Sequence, residues 1–440
     1  MDLTNMIPGG AGEEKTPQQQ LSKEEYAAMK KVHYAWVNVL VCVLVLFACG
    51  TVCQTYGVFL QPIAAELGVG MGQVSGAITV LNCVVALSGP LAAKIVDRYG
   101  MKKILPLALL GVAAALAMLS TVRTLPIVYL LYAVCGCGLY YGMYFLCPYI
   151  VNRWFRTRVA ETIALIITAM AVGGTVGNLV LGDLIARQGW RAAYRLEAIF
   201  LCAVAAVVFL LLRDDPEEKG CKPYAAGSGD ASRVQTNFKG GQGVTARSVF
   251  RRPEFYMLVF YVAGMQFCVG LQSQIPNLAL STGLPAVVGA SAASLNSLGG
   301  IPAKALLSFF NVKIGVTRSV MLYNAIGIVG LLGVLLCPNR TGIHLFALLF
   351  GFAIGSTTVQ LPLMSNRLFG ASKAYGEIHA RIVLLSGLLA TPSSLLAGLV
   401  YDSTGQYTLM LVSLIVIFAA AALLAAGAWR IAERSEETAP

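Results

Sequence analysis

The sequence predicts an all-α membrane protein in which about twelve transmembrane helices form two similar halves of six. Composition, the spacing of apolar stretches and a duplication of short motifs together predict this fold class. Hydrophobic residues make up 57% of the 440 residues and charged residues only 12%, and the mean hydropathy is +0.72. These values exclude a water-soluble globule of this size, because its surface would require many more polar residues.

Apolar stretches long enough to cross one hydrocarbon core, about 20 residues, recur along the chain. They begin near Ala35, Gln73, Ile104, Pro126, Ala160, Ala192, Phe255, Val287, Ser319, Ile343, Ile378 and Thr408. The stretch after Val287 is interrupted by Gly299, Gly300 and Pro302, residue types that weaken a helix. We therefore expect six spans per half, with the total correct to within one.

Short motifs recur with a nearly constant offset. Residues 148–155 read PYIVNRWF and residues 362–369 read PLMSNRLF, an offset of 362 − 148 = 214. Further pairs at nearly the same offset are Gly182 with Gly398, Gly189 with Gly405, and Gly100 with Gly315. Many membrane proteins with such repeats form a site between two halves that rock against each other. Transport is therefore the first functional hypothesis.

Polar stretches divide the chain into five segments. These are an amino-terminal tail (residues 1–33), an amino-terminal six-helix half (34–212), a linker (213–252), a carboxyl-terminal six-helix half (253–430) and a carboxyl-terminal tail (431–440). The linker is rich in glycine and charge and is interpreted as flexible. The amino-terminal tail lacks the apolar core of a cleaved signal. With an even number of spans, both tails and the linker are expected on the cytoplasmic side of a cell membrane.

Basic residues in the loops support this orientation, since cytoplasmic loops of membrane proteins are enriched in lysine and arginine. The loops on the side of the tails carry Lys94, Arg98, Lys102, Lys103, Arg153, Arg156, Arg158, Lys313, Arg318, Arg367 and Lys373, and the opposite loops carry mainly Arg123, Arg187, Arg191 and Arg340. The formal net charge of +11 therefore reflects topology, and no nucleic-acid partner is expected. All cysteines but Cys221 lie in apolar stretches and are interpreted as packing residues.

The loop between the second and third spans contains Gly89, Asp97, Arg98 and Gly100, followed by two lysines. This pattern resembles the loop signature of the major facilitator superfamily. The resemblance implies the fold of that superfamily and a gate that Asp97 and Arg98 stabilise, while Gly89 and Gly100 permit close helix approach and a tight turn. Asp97 is expected to face the amino terminus of a neighbouring helix. The alternative is a solvated charged turn that only fixes topology.

Other motifs strengthen the resemblance. Residues 189–194, GWRAAY, are similar to the same superfamily. Residues 152–155, NRWF, resemble its monocarboxylate transporter and oxalate/formate antiporter branches, as do residues 56–68 and 398–405. The resemblance covers residues 34–430 apart from the linker. The second copy of the loop signature departs from the pattern, because Asn311 and Val312 stand where the first copy has Asp97.

Lys304 lies at membrane depth in the eighth span, where a charge is costly and usually faces the bundle interior. The branch resemblance implies a substrate-binding cation at this position, usually an arginine. A lysine offers a point charge in place of the planar arginine fork. Two interpretations stay open: contact with an anionic substrate, or snorkelling of the long side chain to the interface.

A second group of charges, Glu377, His379 and Arg381, lies where the eleventh span begins. Glu377 and Arg381 are four residues apart, which predicts an ion pair on one helical face, and Arg381 is also a candidate substrate-binding residue. His379 titrates near physiological pH, so it and Glu377 are candidates for proton coupling. The alternative for His379 is a polar anchor at the interface. Arg195 and Glu197 in the sixth span are interpreted as a structural pair.

Neutral hydrogen-bonding groups complete the predicted substrate site, namely Tyr56, Tyr141, Tyr144, Gln266 and Gln360. Aromatic residues in membrane spans are alternatively packing or interface residues. The sequence contains no Gly-rich phosphate loop, metal-ligand set or nucleophile triad. Neither an enzyme nor an ATP-driven pump is predicted, and no cofactor or metal is expected.

The leading interpretation is a secondary transporter of small organic anions, mono- or dicarboxylates, that works by alternating access through proton coupling or exchange. Its expected partners are a small-molecule carboxylate and the lipid bilayer, and a monomer is compatible with the sequence. Export of an uncharged or cationic compound is the first alternative, which an acid near the middle of the membrane would favour. A membrane-embedded sensor or enzyme is the second, and either requires a signalling domain or a catalytic cluster.

Overall fold

The computed structural model describes residues 33–225, 245, 247–370, 372 and 374–437. Most of the predicted amino-terminal tail, half of the predicted linker and the last three residues of the carboxyl-terminal tail lie outside the described residues. Everything below refers to the described part of the chain.

Seven helices form the amino-terminal half. They are α1 (Tyr34–Leu67), α2 (Met71–Tyr99), α3 (Met101–Leu119), α4 (Leu125–Tyr140), α5 (Leu146–Trp154), α6 (Val159–Gln188) and α7 (Trp190–Leu211). A π-helical turn at Tyr141–Phe145 joins α4 to α5, and the two cross as one span.

Nine helices form the carboxyl-terminal half. They are α8 (Pro253–Leu271), α9 (Ile275–Ser281), α10 (Ala286–Ile314), α11 (Val316–Leu336), α12 (Arg340–Gly355), α13 (Thr357–Phe369), α14 (Tyr375–Ala390), α15 (Ser393–Thr404) and α16 (Thr408–Glu437). Three broken spans arise from α8 with α9, α12 with α13, and α14 with α15.

Eleven continuous or broken helices among the described residues are long and apolar enough to cross a membrane. Helix α10 falls below that level of hydropathy because it is rich in glycine, serine and alanine, yet its 29 residues extend about 44 Å at 1.5 Å per residue. The helix also continues through Pro302, where the sequence predicted an interruption. The predicted fold class is confirmed. Helix α10 is the one predicted span whose hydropathy alone does not identify it as a membrane span.

The duplication is visible in the backbone. Gly100 (φ 79°, ψ 153°) and Gly315 (φ 84°, ψ 156°) have nearly the same conformation, and each precedes an equivalent helix. Such positive φ values are strained for any residue except glycine. Each half also has its own large cluster of buried apolar side chains. The chain is therefore built from two similar bodies.

Helix α1 begins, and helix α16 ends, at the same end of the bundle, which we call the terminal end; the other is the opposite end. Because successive spans alternate in direction, α2 begins at the opposite end and the last turn of α15 also lies there. This definition does not depend on which side of a membrane either end faces.

The first part of the linker packs against the amino-terminal half, so its interpretation as flexible is wrong for residues 213–224. Asn38 exchanges hydrogen bonds with the backbone of Arg213, at 3.0 and 3.2 Å. The Trp154 indole donates to the Arg213 carbonyl oxygen at 3.0 Å, and the Tyr224 N–H donates to the Trp154 carbonyl oxygen at 2.7 Å. These bonds hold residues 213–224, which we call the strap, across the terminal ends of α1 and α5.

Asp214 lies near the start of this strap and caps helix α3. Its carboxylate accepts a hydrogen bond from the Lys102 backbone N–H at 2.9 Å. Burial raises the pKa of the Asp214 carboxyl, and the Lys102 N–H opposes that rise. The Lys102 ammonium also pairs with Glu218 at 3.1 Å; burial opposes ionisation of that carboxyl, yet the lysine and neighbouring backbone N–H groups hold its pKa below the usual value.

Candidate functional site

The two halves meet at the opposite end through Asp402, in the last turn of α15. Its two carboxylate oxygens accept hydrogen bonds from the backbone N–H groups of Met71 at 2.8 Å and Gly72 at 2.7 Å. Those groups form the first turn of α2, where the helix dipole favours a negative charge. Asp402 therefore caps a helix of the other half, 331 residues away in sequence.

Close backbone approach accompanies this cap. A Cβ atom on Gly398 would lie 2.6 Å from the Gly72 Cα, and one on Gly182 would lie 2.3 Å from the Ala290 Cβ. Real Cβ atoms do not come this close, so the two contacts require glycine. Helices α2 with α15 and α6 with α10 are thus in tight contact, and the opposite end is closed.

Buried polar groups lie beneath the closed end. Gln274 is fully buried; its amide donates to the Ser75 hydroxyl of the other half at 3.0 Å and accepts from the Tyr407 hydroxyl at 3.1 Å. Nearer the middle of α10, Ser297 donates to the Gln54 side chain across the halves at 2.6 Å. The bonds from Gln274 to Ser75 and from Ser297 to Gln54 thus join the two halves beneath the closed end.

Lys304 lies seven residues after Ser297 on α10. Seven residues are almost two full helical turns, so the two side chains share one face, and the face of Ser297 is in contact with the amino-terminal half. Lys304 is therefore directed toward the space between the halves, about 10 Å nearer the terminal end. It is half-buried and forms no ion pair with any described residue.

Two of the predicted tyrosines, Tyr141 and Tyr144, lie in the π-helical turn. Tyr144 is 57% exposed and stacks on Tyr140 at 5.8 Å, whereas Tyr141 is only 7% exposed. Insertions of this kind in a helix are frequent at functional sites. The turn directs Tyr144 away from the core of the amino-terminal half, so that it remains a candidate ligand contact, while Tyr141 lies in that core.

The remaining neutral candidates lie within their own halves. Tyr56 is 5% exposed and packs on Tyr132 at 5.3 Å. Gln360 is buried and accepts a hydrogen bond from the Tyr261 hydroxyl. The Gln266 amide donates to Ser386 at 3.3 Å and is half-buried. In this conformation Gln266 offers more surface to a ligand than Tyr56 or Gln360.

The charged group of the eleventh span lies near the terminal end of the carboxyl-terminal half. The predicted ion pair between Arg381 and Glu377 is present at 2.5 Å, and the Arg381 guanidinium also lies over Phe250 at 5.2 Å. His379 hydrogen-bonds Ser365 through Nδ1 at 2.8 Å. The structure does not bring these residues into any described contact with Lys304.

At the terminal end, the predicted gate residues Asp97 and Arg98 are exposed. Gly89 approaches a neighbouring helix closely, since a Cβ there would lie 3.0 Å from the Tyr140 hydroxyl. In this conformation Asp97 forms no described hydrogen bond with a helix amino terminus. Asp214 of the strap caps the next helix instead, because the turn at Gly100 directs the start of α3 toward the strap.

Glu197 was misinterpreted from the sequence. Arg195 does not pair with it but donates to the Arg191 carbonyl oxygen at 3.3 Å, and Glu197 is 4% exposed inside the amino-terminal half. Residues two apart on a helix point in different directions, so the spacing itself argued against a pair. Asp402 lies within residues 398–405, and its capping role has no local sequence signal.

Comparisons with known proteins agree with this architecture. A family model described as Major Facilitator Superfamily matches residues 42–374. A "2-nitroimidazole transporter" of Escherichia coli (strain K12) is 26% identical over 350 residues, which cover 76% of this chain and 80% of that protein. The "Uncharacterized MFS-type transporter YhjX" of the same strain is 22% identical over 359 residues, covering 78% and 84%.

Two solved structures are similar in fold. The nucleoside transporter NupG superposes with a TM-score of 0.68 at 12% identity, covering 91% of this chain and 99% of that one. A bacterial homologue of the human lysosomal transporter Spinster, in an inward-facing and unoccupied conformation, gives a TM-score of 0.65 at 16% identity, covering 92% and 98%. At these identities the likeness concerns the fold alone.

Proposed function

Because this chain belongs to the Major Facilitator Superfamily, we propose that it moves small organic anions across the membrane by alternating access. Membership makes it a multi-pass membrane transporter and not an enzyme. The proposal concerns the finer point of substrate class, where the branch resemblance of the sequence favours mono- or dicarboxylates. Transport is coupled to protons or proceeds by exchange, and His379 and Glu377 remain candidates for the coupling.

The position of Lys304 carries the proposal. Its ammonium shares a face with Ser297, which contacts Gln54 of the other half, and no described carboxylate neutralises it. A cation at membrane depth is stabilised by a counter-charge. A carboxylate substrate supplies that charge and gains a charge-assisted hydrogen bond. Tyr144 and Gln266 are the neutral groups best exposed to assist.

The orientation follows from the loop charges. Lysine and arginine predominate in the loops of the terminal end, which favours the cytoplasmic side for that end. With this orientation the conformation described here, closed at Asp402, is inward-facing. Alternating access then requires Asp402 to release α2 while the terminal end closes near Asp97.

The relatives favour a second candidate, an uncharged or weakly ionised heteroaromatic compound. One relative carries the name of a 2-nitroimidazole transporter, and a structural neighbour is a nucleoside transporter. Glu197 is also a buried acid within a membrane span, and such an acid favours an uncharged or cationic substrate. A substrate of this kind does not neutralise Lys304. Replacing Lys304 by glutamine should therefore leave its binding unchanged, whereas the carboxylate proposal predicts weaker binding.

A ligand screen on the purified protein tests the proposal. A ligand that binds the folded state raises the unfolding temperature as its concentration exceeds Kd. We expect stabilisation by small mono- or dicarboxylates and none by their amides, which lack the charge. Stabilisation by 2-nitroimidazole or a nucleoside, with no response to any carboxylate, would establish the second candidate instead.

A further inference from the structure

A buried carboxyl group in the amino-terminal half has no counter-charge. Glu197 lies in the second turn of α7 and is 4% exposed. The nearest basic residues of its helix are engaged elsewhere: Arg191 pairs with Glu66 at 3.0 Å, and Arg195 donates to a backbone oxygen. Among the described residues, no lysine, arginine or histidine forms an ion pair with Glu197.

The side chains around Glu197 are neutral. Helix α1 contributes Thr55, Tyr56 and Cys53, helix α4 contributes Tyr132 and Cys135, and α7 itself contributes Tyr194. The Tyr132 and Tyr194 hydroxyls hydrogen-bond each other at 2.9 Å. The Tyr56 hydroxyl is buried and has no partner among the described residues.

The remaining packed helices add no charge to this cluster. The acidic and basic residues of α6 are at its ends, where Asp183 pairs with Arg187 at 2.9 Å and Glu161 contacts Arg158. The lysines of α3, Lys102 and Lys103, lie in its first turn at the terminal end. An ionised Glu197 would therefore be an uncompensated charge in a low-dielectric interior, which costs several kcal/mol.

The hydroxyl of Thr55 does little to stabilise an ionised Glu197. A hydroxyl has one hydrogen to donate, and the short contact of Thr55 is to the Thr51 carbonyl oxygen at 2.6 Å. Its contact with Glu197 Oε1, at 3.4 Å, is longer than an ordinary O–H···O hydrogen bond. An ionised Glu197 is therefore left without a strong hydrogen-bond donor among the described residues.

We propose that Glu197 is a proton-binding site of this protein, closed in this conformation by Thr55, Tyr56 and Tyr132. The proton is the counter-charge that no described side chain provides. Glu197 is therefore a further candidate for proton coupling, beside His379 and Glu377. Coupling of this proton to transport rests on the proposed function, but proton binding does not.

The side chains around Glu197 adjoin the π-helical turn. Half-buried Cys53, one of those side chains, lies with its Sγ 3.2 Å from the Met143 Sδ of that turn. The next residue, Tyr144, is exposed.

Infrared difference spectroscopy of the purified full chain tests the site without any substrate. A protonated carboxyl absorbs through its C=O stretch, which an ionised one lacks. At neutral pH we expect a buried carboxyl band in the wild type that is lost in Glu197→Gln and retained in Glu161→Gln, the exposed control. A band that is unchanged in Glu197→Gln, or absent from the wild type, overturns the proposal.

Two further measurements complete the test. Thr55→Val removes the hydroxyl that contacts the Glu197 carboxyl, so the band should shift to higher frequency; an unshifted band contradicts the assignment even when Glu197→Gln does not fold. Replacing choline chloride by sodium chloride should leave the band unchanged. Loss of the band in sodium would assign the site to a metal cation and overturn proton binding. None of these outcomes depends on which compound is transported.

Discussion

The Asp402 carboxylate accepts a hydrogen bond from the Gly72 backbone N–H at 2.7 Å, so that the end of α15 caps the start of a helix in the other half. The contact is both a hydrogen bond to a charged group and a favourable interaction with a helix dipole. It exists only while the opposite end is closed. We therefore expect Asp402 to act as a latch that stabilises this closed conformation.

Asp402→Ala should weaken the closed conformation by about 1–2 kcal/mol, the effect of losing a charged helix cap. That corresponds to a roughly five- to thirtyfold smaller ratio of closed to open molecules. A cysteine at Ser75, which is buried under the closed end, reports opening through its rate of thiol labelling in detergent. Labelling should accelerate in Asp402→Ala and not in Ser403→Ala, and equal rates in the two variants would exclude the latch.

Gly398→Leu should prevent the opposite end from closing. Its side chain would occupy the space of the Gly72 backbone, and overpacking of this kind costs about 1–3 kcal/mol or more. The same labelling of a cysteine at Ser75 should be faster than in the parent protein. Gly376→Leu is the matched control, because no atom lies within 4 Å of a Cβ there. If Gly398→Leu labels as slowly as the control, the close approach of α2 and α15 does not limit opening.

Asp214→Ala should destabilise the amino-terminal half by about 0.5–2 kcal/mol, because it removes the cap of α3. The neighbouring variant Asp215→Ala removes an exposed ion pair with Arg153 and should cost about 0–1 kcal/mol. Thermal unfolding in detergent compares the two. A larger loss in Asp215→Ala would mean that the strap is held by its surface charges and not by the cap.

Asp97→Asn should slow transport more than it weakens substrate binding. Asp97 is exposed here, so we expect its gating interaction to form in a conformation in which the terminal end is closed. Binding is measured by thermal shift and turnover by uptake into proteoliposomes. A collapse in affinity with normal turnover of bound substrate would show that Asp97 is not part of a gate.

The sequence predicted the fold well because hydropathy and repetition are local signals. Apolar stretches located the spans to within a few residues, and the repeated glycines at positions 100 and 315 have nearly the same backbone conformation. Helix α10 was the doubtful span for a physical reason: its small and polar residues pack against the other half, as Ser294 does when it donates to the Thr175 carbonyl oxygen at 2.7 Å.

The contacts between the halves were not predictable in the same way. Asp402 binds backbone N–H groups more than 300 residues away, and a backbone partner has no residue type to recognise. Asp214 lies in a segment that composition alone described as flexible. Glu197 was paired with a neighbour by sequence distance, although helix geometry directs the two side chains apart. The surroundings of these three acids could be identified only from the packed structure.

Binding of a small carboxylate to Lys304 variants tests the central claim most directly. The account predicts that Lys304→Gln weakens binding about ten- to hundredfold, the effect of losing a hydrogen bond to a charged group. Lys304→Arg should retain binding, and Lys313→Gln, at the end of the same helix, should bind as the wild type does. Wild-type affinity for the carboxylate in Lys304→Gln would contradict the account, because the anion would then bind without the cation proposed to hold it.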